Sequence, residues 1–233
     1  MGTAVITGAG SGMGRATAEL YLERGWNVIA IDVADNPGVT GTNLHWVKAD
    51  VRDRVALELA LAPAVAAAGG QIDAVANIAG VFPPTTLETF TEENFNFIFG
   101  VNVLGVLNVT AACVPFMKAG SSVVNFASVD GFTVSRGQLL YGASKSAVIM
   151  ITKSLALELA PQGIRVNGIA PGWVATPGNA ATGRMEQAAA SIPIGRVAQP
   201  TEIAEWVYIL TDSSKAGFVD GETIVISGAD VMR

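Results

Sequence analysis

A tyrosine and a lysine four positions apart are the residues of this sequence best placed to do chemistry. Tyr141 and Lys145 stand in the segment YGASK, and a helix brings side chains at this spacing onto one face. A free phenol titrates near about 10 and is a poor base at neutral pH, but an adjacent positive charge stabilises its phenolate. We therefore predict that Tyr141 exchanges a proton with a substrate hydroxyl. The alternative is that the pair is only a contact on a helix surface.

Two further polar residues strengthen this prediction. Ser128 ends an apolar strand thirteen positions before Tyr141, and Asn102 lies inside an apolar helical stretch, VNVLG. A serine hydroxyl can hydrogen-bond a reacting oxygen, whereas a buried amide is costly unless a partner hydrogen-bonds it. Ser128 alone is compatible with an ordinary hydroxyl at a strand end, so the prediction rests on the set. The predicted catalytic residues are Asn102, Ser128, Tyr141 and Lys145.

A glycine-rich turn near the start of the chain predicts a nucleotide site. The segment TGAGSGMG joins a Val- and Ile-rich strand to a helix, and its glycines let a pyrophosphate approach the helix N-terminus. Such turns also occur where a helix merely packs closely on a strand. Asp32 ends the second strand, eighteen positions after Gly14, where its carboxylate would bind an adenosine ribose and repel a 2′-phosphate. We expect NAD in preference to NADP; the alternative for Asp32 is an Asx-turn.

Short apolar runs alternate with helix-length segments along the chain. Such alternation predicts an α/β fold: a Rossmann-like, doubly wound parallel sheet of about seven strands with helices on both faces, in three α/β/α layers, as one domain over 1–233. The predicted strands are TAVITG, NVIAID, LHWVKAD, DAVANIAG, SSVVNFAS, RVNGIAPG and ETIVISG, and the predicted helices span 13–24, 54–68, 91–118, 141–160 and 201–211. Residues 33–44 predict a connection with little or no helix, and 176–200 predict a substrate lid.

Charge and composition exclude several functions. The formal net charge of -6 gives no positive field for nucleic acid or anionic membrane, so neither is an expected partner. Cys113, the single cysteine, lies in an apolar segment and is predicted to be core, and the single histidine, His45, leaves no triad or zinc site, so no metal is expected. With no leader ahead of the first strand, we expect a cytoplasmic protein.

The order and spacing of these motifs resemble those of the short-chain dehydrogenase/reductase family in its compact single-domain form. The motifs are TGAGSGMG, NIAG at 77–80, VNVLG, NFAS, YGASK and IAPGWVATP at 169–177. The resemblance implies hydride transfer between a nicotinamide and a secondary alcohol or ketone. It also implies that Ser128 binds the substrate oxygen, that Lys145 holds the nicotinamide ribose and that Asn102 anchors a water. Met13 and Ile78 depart from the commonest motifs without removing a hydrogen-bond donor.

The resemblance also implies cofactor-binding positions. They are Gly8, Ser11, Gly12, Met13, Gly14, Asp32, Val33, Asp50, Val51, Asn77, Ala79, Gly80, Tyr141, Lys145, Pro171, Gly172, Val174 and Thr176. Asp50 and Val51 would flank the adenine, whereas Val174 and Thr176 would meet the carboxamide.

Mostly apolar residues are expected to face the substrate. They are Phe82, Asp130, Phe132, Leu139, Trp173 and Met185, with Gln138 beside Leu139. Arg136 and Arg184 are isolated in the sequence, so we expect no arginine cluster for an anion and instead a hydrophobic or aryl ketone or alcohol. Asp130 could instead pair with a polar group of the substrate.

Two other functions share parts of this pattern. An epimerase or dehydratase of nucleotide sugars generally carries an added C-terminal domain, for which we expect no room after the last strand. A non-catalytic NAD-binding regulator would tolerate loss of Tyr141 or Lys145, and both are present. The helix SAVIMITKSLALELA is apolar on more than one side, which together with the resemblance favours a homotetramer; the alternative is an alanine-rich surface.

Overall fold

A computed structural model describes residues 2–232 of the chain. Within that range seven strands form one sheet in the order β3-β2-β1-β4-β5-β6-β7, and every neighbouring pair is parallel. The strands are β1 Thr3–Thr7, β2 Asn27–Asp32, β3 Leu44–Lys48, β4 Ile72–Asn77, β5 Met117–Phe126, β6 Arg165–Pro171 and β7 Thr223–Ile226. The doubly wound parallel sheet predicted from the alternating pattern is confirmed.

Helices cover both faces of this sheet. They are α1 Gly12–Glu23, α2 Arg54–Ala67, α3 Glu92–Phe99, α4 Gly105–Cys113, α5 Leu139–Leu159, α6 Pro177–Ala180, α7 Met185–Ser191, α8 Pro200–Thr211 and α9 Ser213–Ala216. Side chains of α2, α4 and α5 pack in one buried cluster, and those of α1 and α8 pack in another. Successive strand residues alternate between the two, with Val5 in the first and Ile6 in the second, as a period of two requires. Cys113 is fully buried in the first cluster, as predicted.

The predicted single helix over 91–118 is wrong in two respects. Between α3 and α4 the chain makes a π-helical turn, Gly100–Leu104, and after α4 a 3-10 turn, Val114–Phe116, leads directly into β5. The π turn inserts an extra residue, and the side chain of Asn102 within it bonds to the loop after β4. The sequence periodicity does not reveal this bond, and β5 consequently starts at Met117 rather than at 121.

Several strands end earlier than predicted, and one of these ends shapes the site. β4 stops at Asn77 because the backbone N–H groups of Ile78 and Ala79 donate to Thr7 Oγ1, at 2.9 and 3.0 Å, instead of continuing a ladder. β3 stops at Lys48 and β5 at Phe126, each two residues short of its prediction. The connection from β2 to β3 contains no helix within the described chain, as expected.

The segment predicted as a lid leaves the sheet after β6 and returns close to its starting point. Ala175 N donates to Ala198 O at 2.8 Å, and Ala198 N donates to Trp173 O at 2.9 Å, so the two ends are tied together. Between these ends lie α6 and α7, which the sequence reasoning treated only as lid. A closed segment of this kind can change conformation without disturbing the sheet.

One helical stretch, Glu92–Phe116, is long and apolar enough to cross a membrane by length and composition. Half of its most apolar part is buried within the fold. Core helices of folded domains reach the same length and apolarity.

Candidate active site

A cavity of about 250 Å³ opens at the carboxyl ends of the central strands. Ile78 after β4, Phe126 at the end of β5 and Pro171 at the end of β6 all line it. In open α/β sheets ligands bind at this edge, near the point where the strand order reverses, which here lies between β1 and β4. The cavity is thus where the fold itself favours a ligand.

The first turns of α5 bring the predicted proton-transferring tyrosine to this cavity. Tyr141, Lys145 and Ser128 all line it, and Ser128 caps the short 3-10 turn that follows β5. Burial raises the pKa of Tyr141 to about 12; a side-chain hydrogen bond with Ser128 opposes this rise, and the charge of Asp130 adds to it. The phenol is therefore protonated at neutral pH.

Lys145 is almost fully buried beneath the cavity. Its Nζ donates to the backbone oxygen of Phe126 at 2.6 Å and lies 5.7 Å from the centre of the Tyr141 ring. Burial lowers the pKa of Lys145 to about 8. We expected neighbouring positive charge to favour the phenolate of Tyr141. Burial of the phenol is the largest influence on its pKa and acts in the opposite direction.

Asn102 uses its side chain to hold the neighbouring loop. Its Oδ1 accepts from Val81 N at 2.8 Å, while Nδ2 donates to Val81 O at 2.9 Å and to Ser144 Oγ at 3.0 Å. The side chain is fully buried, so these bonds satisfy an amide that would otherwise destabilise the fold. Asn102 thereby fixes the loop after β4 against α5. Ser144, its partner on α5, was missed in the sequence reasoning.

Gly80 lets that loop approach the lysine. A Cβ built on Gly80 would lie 3.4 Å from Asn102 Oδ1 and 3.5 Å from Lys145 Nζ. Thr7, which accepts from the first two residues of the loop, was also missed; its position directly before the glycines was the available signal.

Four of the seven residues predicted to face the substrate line the cavity. These are Phe82, Asp130, Gln138 and Trp173. The ring of Phe82 meets the ring of Tyr141 edge-on with 6.0 Å between centres, so an apolar wall stands directly beside the phenol. Asp130 Oδ1 accepts from Ser135 Oγ at 2.6 Å.

The other three are not brought to the cavity. Phe132 packs against a small core cluster that includes Val148. Leu139 is the first residue of α5 and remains half-exposed, and Met185 begins α7 one position beyond Arg184, which does line the cavity. Among residues that the sequence reasoning did not propose, Asn179 and Thr182 of the lid also line it. They lie in irregular chain, where no sequence pattern marks them.

The two arginines that are isolated in the sequence meet at one site. Arg136, just before α5, and Arg184, in the lid, both line the cavity. The guanidinium carbon of Arg184 lies 5.3 Å from the centre of the Trp173 ring. Their separation in the sequence, from which we expected no arginine cluster, therefore does not keep them out of a shared cavity. Gln138 lies in the same wall, and its Oε1 is buried without a hydrogen-bond partner.

The glycine-rich turn has the backbone shape that the sequence predicted. Gly8 and Gly12 have φ angles of 66° and 52°, which favour glycine. A Cβ at Gly14 would collide with the backbone oxygen of Gly8, so close helix packing also requires a glycine there. Ser11 directly precedes α1 without capping it, and Met13, in the first turn of α1, lines the cavity.

Asp32 closes the far end of this turn. Its Oδ2 accepts from Gly10 N at 2.8 Å, and its Oδ1 accepts from Ala34 N at 3.0 Å. The second bond is the Asx-turn weighed as an alternative, and the first ties the carboxylate to the glycine turn. A carboxylate has about four acceptor positions, so these bonds leave capacity for a ligand. Val33, the next residue, is 62% exposed.

The remaining cofactor positions divide into two groups. Gly80, Tyr141, Lys145, Pro171, Gly172, Val174 and Thr176 line the cavity. Thr176 Oγ1 accepts from Asn179 N at 3.2 Å, which caps α6. Ala79 lies directly before Gly80, at the loop that follows β4.

The positions assigned to the adenine end are engaged in protein contacts. Asp50 Oδ2 pairs with Arg52 Nη2 at 2.6 Å, and this pairing lowers the pKa of the carboxyl. Val51 is buried, and its backbone oxygen accepts from Asn108 Nδ2 at 2.9 Å.

Asn77 is committed to the interior. Its Nδ2 donates to Asn125 Oδ1 at 2.8 Å and to Thr110 Oγ1 at 3.1 Å, while its own Oδ1 is buried without a partner. These bonds link β4 to β5 and α4, so its side chain holds the sheet edge in place.

Known proteins match this chain over almost its full length. The family model described as enoyl-(acyl carrier protein) reductase matches residues 8–228. Oxidoreductase UcpA of Salmonella typhimurium is 36% identical over 250 residues, covering 99% of this chain and 94% of that protein. The 3-oxoacyl-[acyl-carrier-protein] reductase FabG of Thermotoga maritima is 36% identical over 241 residues, covering 98% and 97%.

Solved structures share the fold equally fully. The short-chain dehydrogenase/reductase SDR:Glucose/ribitol dehydrogenase from Brucella melitensis has a TM-score of 0.92 at 30% identity, covering 100% of this chain and 97% of that one. The 3-ketoacyl-(acyl-carrier-protein) reductase from Brucella melitensis, complexed with NADH, has a TM-score of 0.91 at 29% identity, covering 99% and 98%. As its motifs predicted, this chain belongs to the short-chain dehydrogenase/reductase family of oxidoreductases.

Proposed function

We propose that this protein is an NAD(H)-dependent dehydrogenase or ketone reductase that moves a hydride between a nicotinamide and a small secondary alcohol or ketone. The observation that carries the proposal is the meeting of Ser128, Tyr141 and Lys145 in one cavity, at the sheet edge that also holds the glycine-rich turn. A non-catalytic NAD-binding regulator would need only the glycine-rich turn and would not need these three side chains together.

The residues present fit a dinucleotide. Every second residue of the turn from Gly8 to Gly14 lacks a side chain: a Cβ at Gly10 would lie 2.9 Å from Asp32 Oδ2, and one at Gly12 would lie 3.1 Å from Thr176 Cγ2. The turn opens directly into the N-terminus of α1, which favours an anion. When bound there, the nicotinamide supplies the chemistry of hydride transfer. The chain supplies the position and the proton.

The charges near Asp32 favour NAD over NADP. Asp32 is an acceptor for ribose hydroxyls, and its charge would repel a phosphate on the same ribose. Two cations could oppose this repulsion: Arg15 in the first turn of α1, and Lys48, which lies opposite Asp32 in the β2–β3 register. Each already has a carboxylate partner, since Arg15 Nε lies 2.8 Å from Glu19 and Lys48 Nζ lies 2.9 Å from Asp35.

Tyr141 is the residue that exchanges the proton. With a pKa of about 12 it is protonated at neutral pH, so it can donate its proton to a ketone oxygen as the hydride arrives at carbon. In the reverse direction the phenolate must accept the proton of the alcohol, and its formation becomes more favourable as the pH rises. The Ser128 hydroxyl, which already opposes the rise in the Tyr141 pKa, would bind the same substrate oxygen.

Lys145 is a positioning and electrostatic residue in this scheme. Its pKa of about 8 leaves it mostly cationic at neutral pH, and its bond to the Phe126 carbonyl fixes it below the cavity. It would hold the nicotinamide ribose there. Its positive charge would then favour the Tyr141 phenolate, which forms when the substrate oxygen takes up the proton.

An apolar wall favours a hydrophobic or aryl substrate body. Phe82 and Trp173 form this wall, in the cavity whose lining also includes Val174 and Thr176, the positions assigned to the carboxamide. The relatives named as 3-oxoacyl-[acyl-carrier-protein] reductase and the neighbour complexed with NADH support the reduction of a carbonyl with a nicotinamide.

The cytoplasmic location of the protein stays a prediction.

We further propose that the protein assembles as a homotetramer. Two apolar surfaces are exposed. One comprises Leu104 at the end of the π turn, Leu107 of α4, and Met150 and Leu157 of α5. The other centres on Phe218, after α9. Exposed apolar groups of this size favour burial against another copy, and two surfaces suffice for a closed tetramer.

The test is turnover of a panel of secondary alcohols with NAD, followed by NADH absorbance. The proposal predicts activity with hydrophobic and aryl alcohols, in preference to sugars. Exclusive turnover of sugars would contradict the apolar pocket. Tight NADH binding with no turnover of any alcohol or ketone would favour the non-catalytic regulator instead.

A further inference from the structure

Arg136 and Arg184 differ from the other exposed arginines of the described chain. Within residues 2–232, five arginines each pair with a carboxylate at 2.6–2.8 Å; they are Arg15, Arg24, Arg52, Arg54 and Arg196. Arg165 is buried and donates to backbone oxygens of Leu210 and Val219. Arg136 and Arg184 make no ion pair with a described residue, although the chain holds 20 carboxylates and only 14 lysines and arginines.

Both unpaired arginines line the proposed substrate cavity. Its ionisable lining consists of three cations, Arg136, Arg184 and Lys145, with Tyr141 and a single carboxylate, Asp130. Asp130 Oδ1 accepts from Ser135 Oγ at 2.6 Å, and its single negative charge offsets only one of these three cations. The lining of this cavity therefore carries a net positive charge in a protein whose net charge is -6.

Arg184 is held over the apolar wall. Its guanidinium carbon lies 5.3 Å from the centre of the Trp173 ring, a cation–π distance, and its own backbone N–H donates to Thr182 Oγ1 at 3.3 Å. A guanidinium stacked on an aromatic ring keeps its N–H groups available for a planar anion. Arg136 belongs to a different part of the chain, the segment just before α5, and also lines the cavity.

We propose that the substrate carries an anionic oxygen group, a carboxylate or a phosphate, which Arg136 and Arg184 bind while the Phe82 and Trp173 side takes its hydrophobic body. The inference rests on the proposed function, because it assigns the part of the substrate that lies away from Tyr141. Guanidinium groups bind such anions with paired, charge-assisted hydrogen bonds.

The test compares alcohols that differ only in charge. Mandelate and phenyllactate are matched with their neutral amides, and phenylglycol monophosphate provides the phosphate. Each is oxidised with NAD by the wild type, Arg136→Gln, Arg184→Gln and the double variant. Arg54→Gln, an exposed arginine of α2 outside the cavity, is the control.

The expected result is a higher kcat/KM for the anion than for its amide in the wild type. Each single variant is expected to lower this preference about 10- to 100-fold, because a hydrogen bond to a charged group contributes about 1.5–3 kcal/mol. Rates with the amides, and all rates of the control, are expected to change little. If the carboxylates are preferred the ligand is a carboxylate, and if the phosphate ester is preferred it is a phosphate.

Two outcomes would overturn the inference. The first is an equal kcat/KM for acids and amides in the wild type. The second is a higher KM for NAD in the arginine variants while the preference for the anion is unchanged, because the arginines would then bind the cofactor. If no alcohol is oxidised, the proposed function has failed separately. Calorimetric titration of phenylacetate and phenyl phosphate into wild type and double variant then decides the inference: binding lost in the double variant supports it, and no binding to the wild type overturns it.

Discussion

Replacing Asp32 with asparagine tests the cofactor assignment most sharply. The substitution removes the charge beside the predicted ribose and keeps one amide oxygen, so a bond equivalent to that from Gly10 N or Ala34 N can survive. The expected effect is a loss of preference for NAD over NADP, without a comparable loss of folding.

The size of this effect follows from the position of the carboxylate. Two unit charges about 4 Å apart interact by about 4 kcal/mol at an effective dielectric of about 20, and by about 1 kcal/mol in water. Asp32 is neither fully buried nor fully exposed, so we take about 2–3 kcal/mol as the repulsion of a ribose phosphate. At about 1.36 kcal/mol per factor of ten, the wild type is expected to prefer NAD about 30- to 150-fold in kcat/KM. Asp32→Asn is expected to reduce this preference to less than about tenfold.

The assay measures initial rates of NAD and NADP reduction with one alcohol. Glu23→Gln is the control, because it removes a carboxylate charge from an exposed side chain at the end of α1. A wild type that prefers NADP would refute the reasoning. So would an equal loss of preference in both variants, since a general change of surface charge would then explain the result.

Three further predictions concern the proton, the π turn and the assembly. Alcohol oxidation is expected to accelerate from neutral pH upward, because the pKa of Tyr141 is raised to about 12 and the phenolate is the base. Asp130→Asn is expected to shift this pH profile to lower pH, because it removes a charge that raises the pKa of Tyr141. A rate that does not depend on pH would contradict the role of Tyr141 as the base. Asn102→Ala removes the partners of the partly buried N–H and C=O of Val81, so urea titration is expected to show about 1–3 kcal/mol less free energy of unfolding. A loss below about 0.5 kcal/mol would count against that role. Leu157→Glu introduces a charge where a leucine is 82% exposed, and is expected to convert the proposed tetramer to smaller species in sedimentation velocity. An unchanged tetramer would show that this part of α5 does not lie in the interface.

The sheet and its order of elements followed from the sequence because they depend on local patterns. Val- and Ile-rich runs of strand length, such as β2, alternate with helices of three- and four-residue periodicity, and the glycine turn stands between β1 and α1. The pattern failed where a side chain far along the chain intervenes. Asn102 lies in the π turn and bonds to Val81, twenty-one positions earlier, and no local pattern in the sequence marks this contact.

The site divides in the same way. Tyr141 and Lys145 could be placed together because a helix fixes their spacing, and Ser128 because it ends a buried strand. Phe132 was misplaced, since one position along a 3-10 turn decides between the cavity and the core. The meeting of Arg136 and Arg184 depends on how the lid folds, which no periodicity records.

The most direct test of the proposed function is Tyr141→Phe. Phenylalanine keeps the ring that packs against Phe82 and removes only the hydroxyl. NADH binding, followed by fluorescence titration, is expected to be retained, while kcat for a secondary alcohol that the wild type oxidises falls by about 10²- to 10⁴-fold, the contribution of a general acid or base. Unchanged NADH affinity together with a kcat within about threefold of the wild type, well below that contribution, would contradict the assignment of the proton to Tyr141.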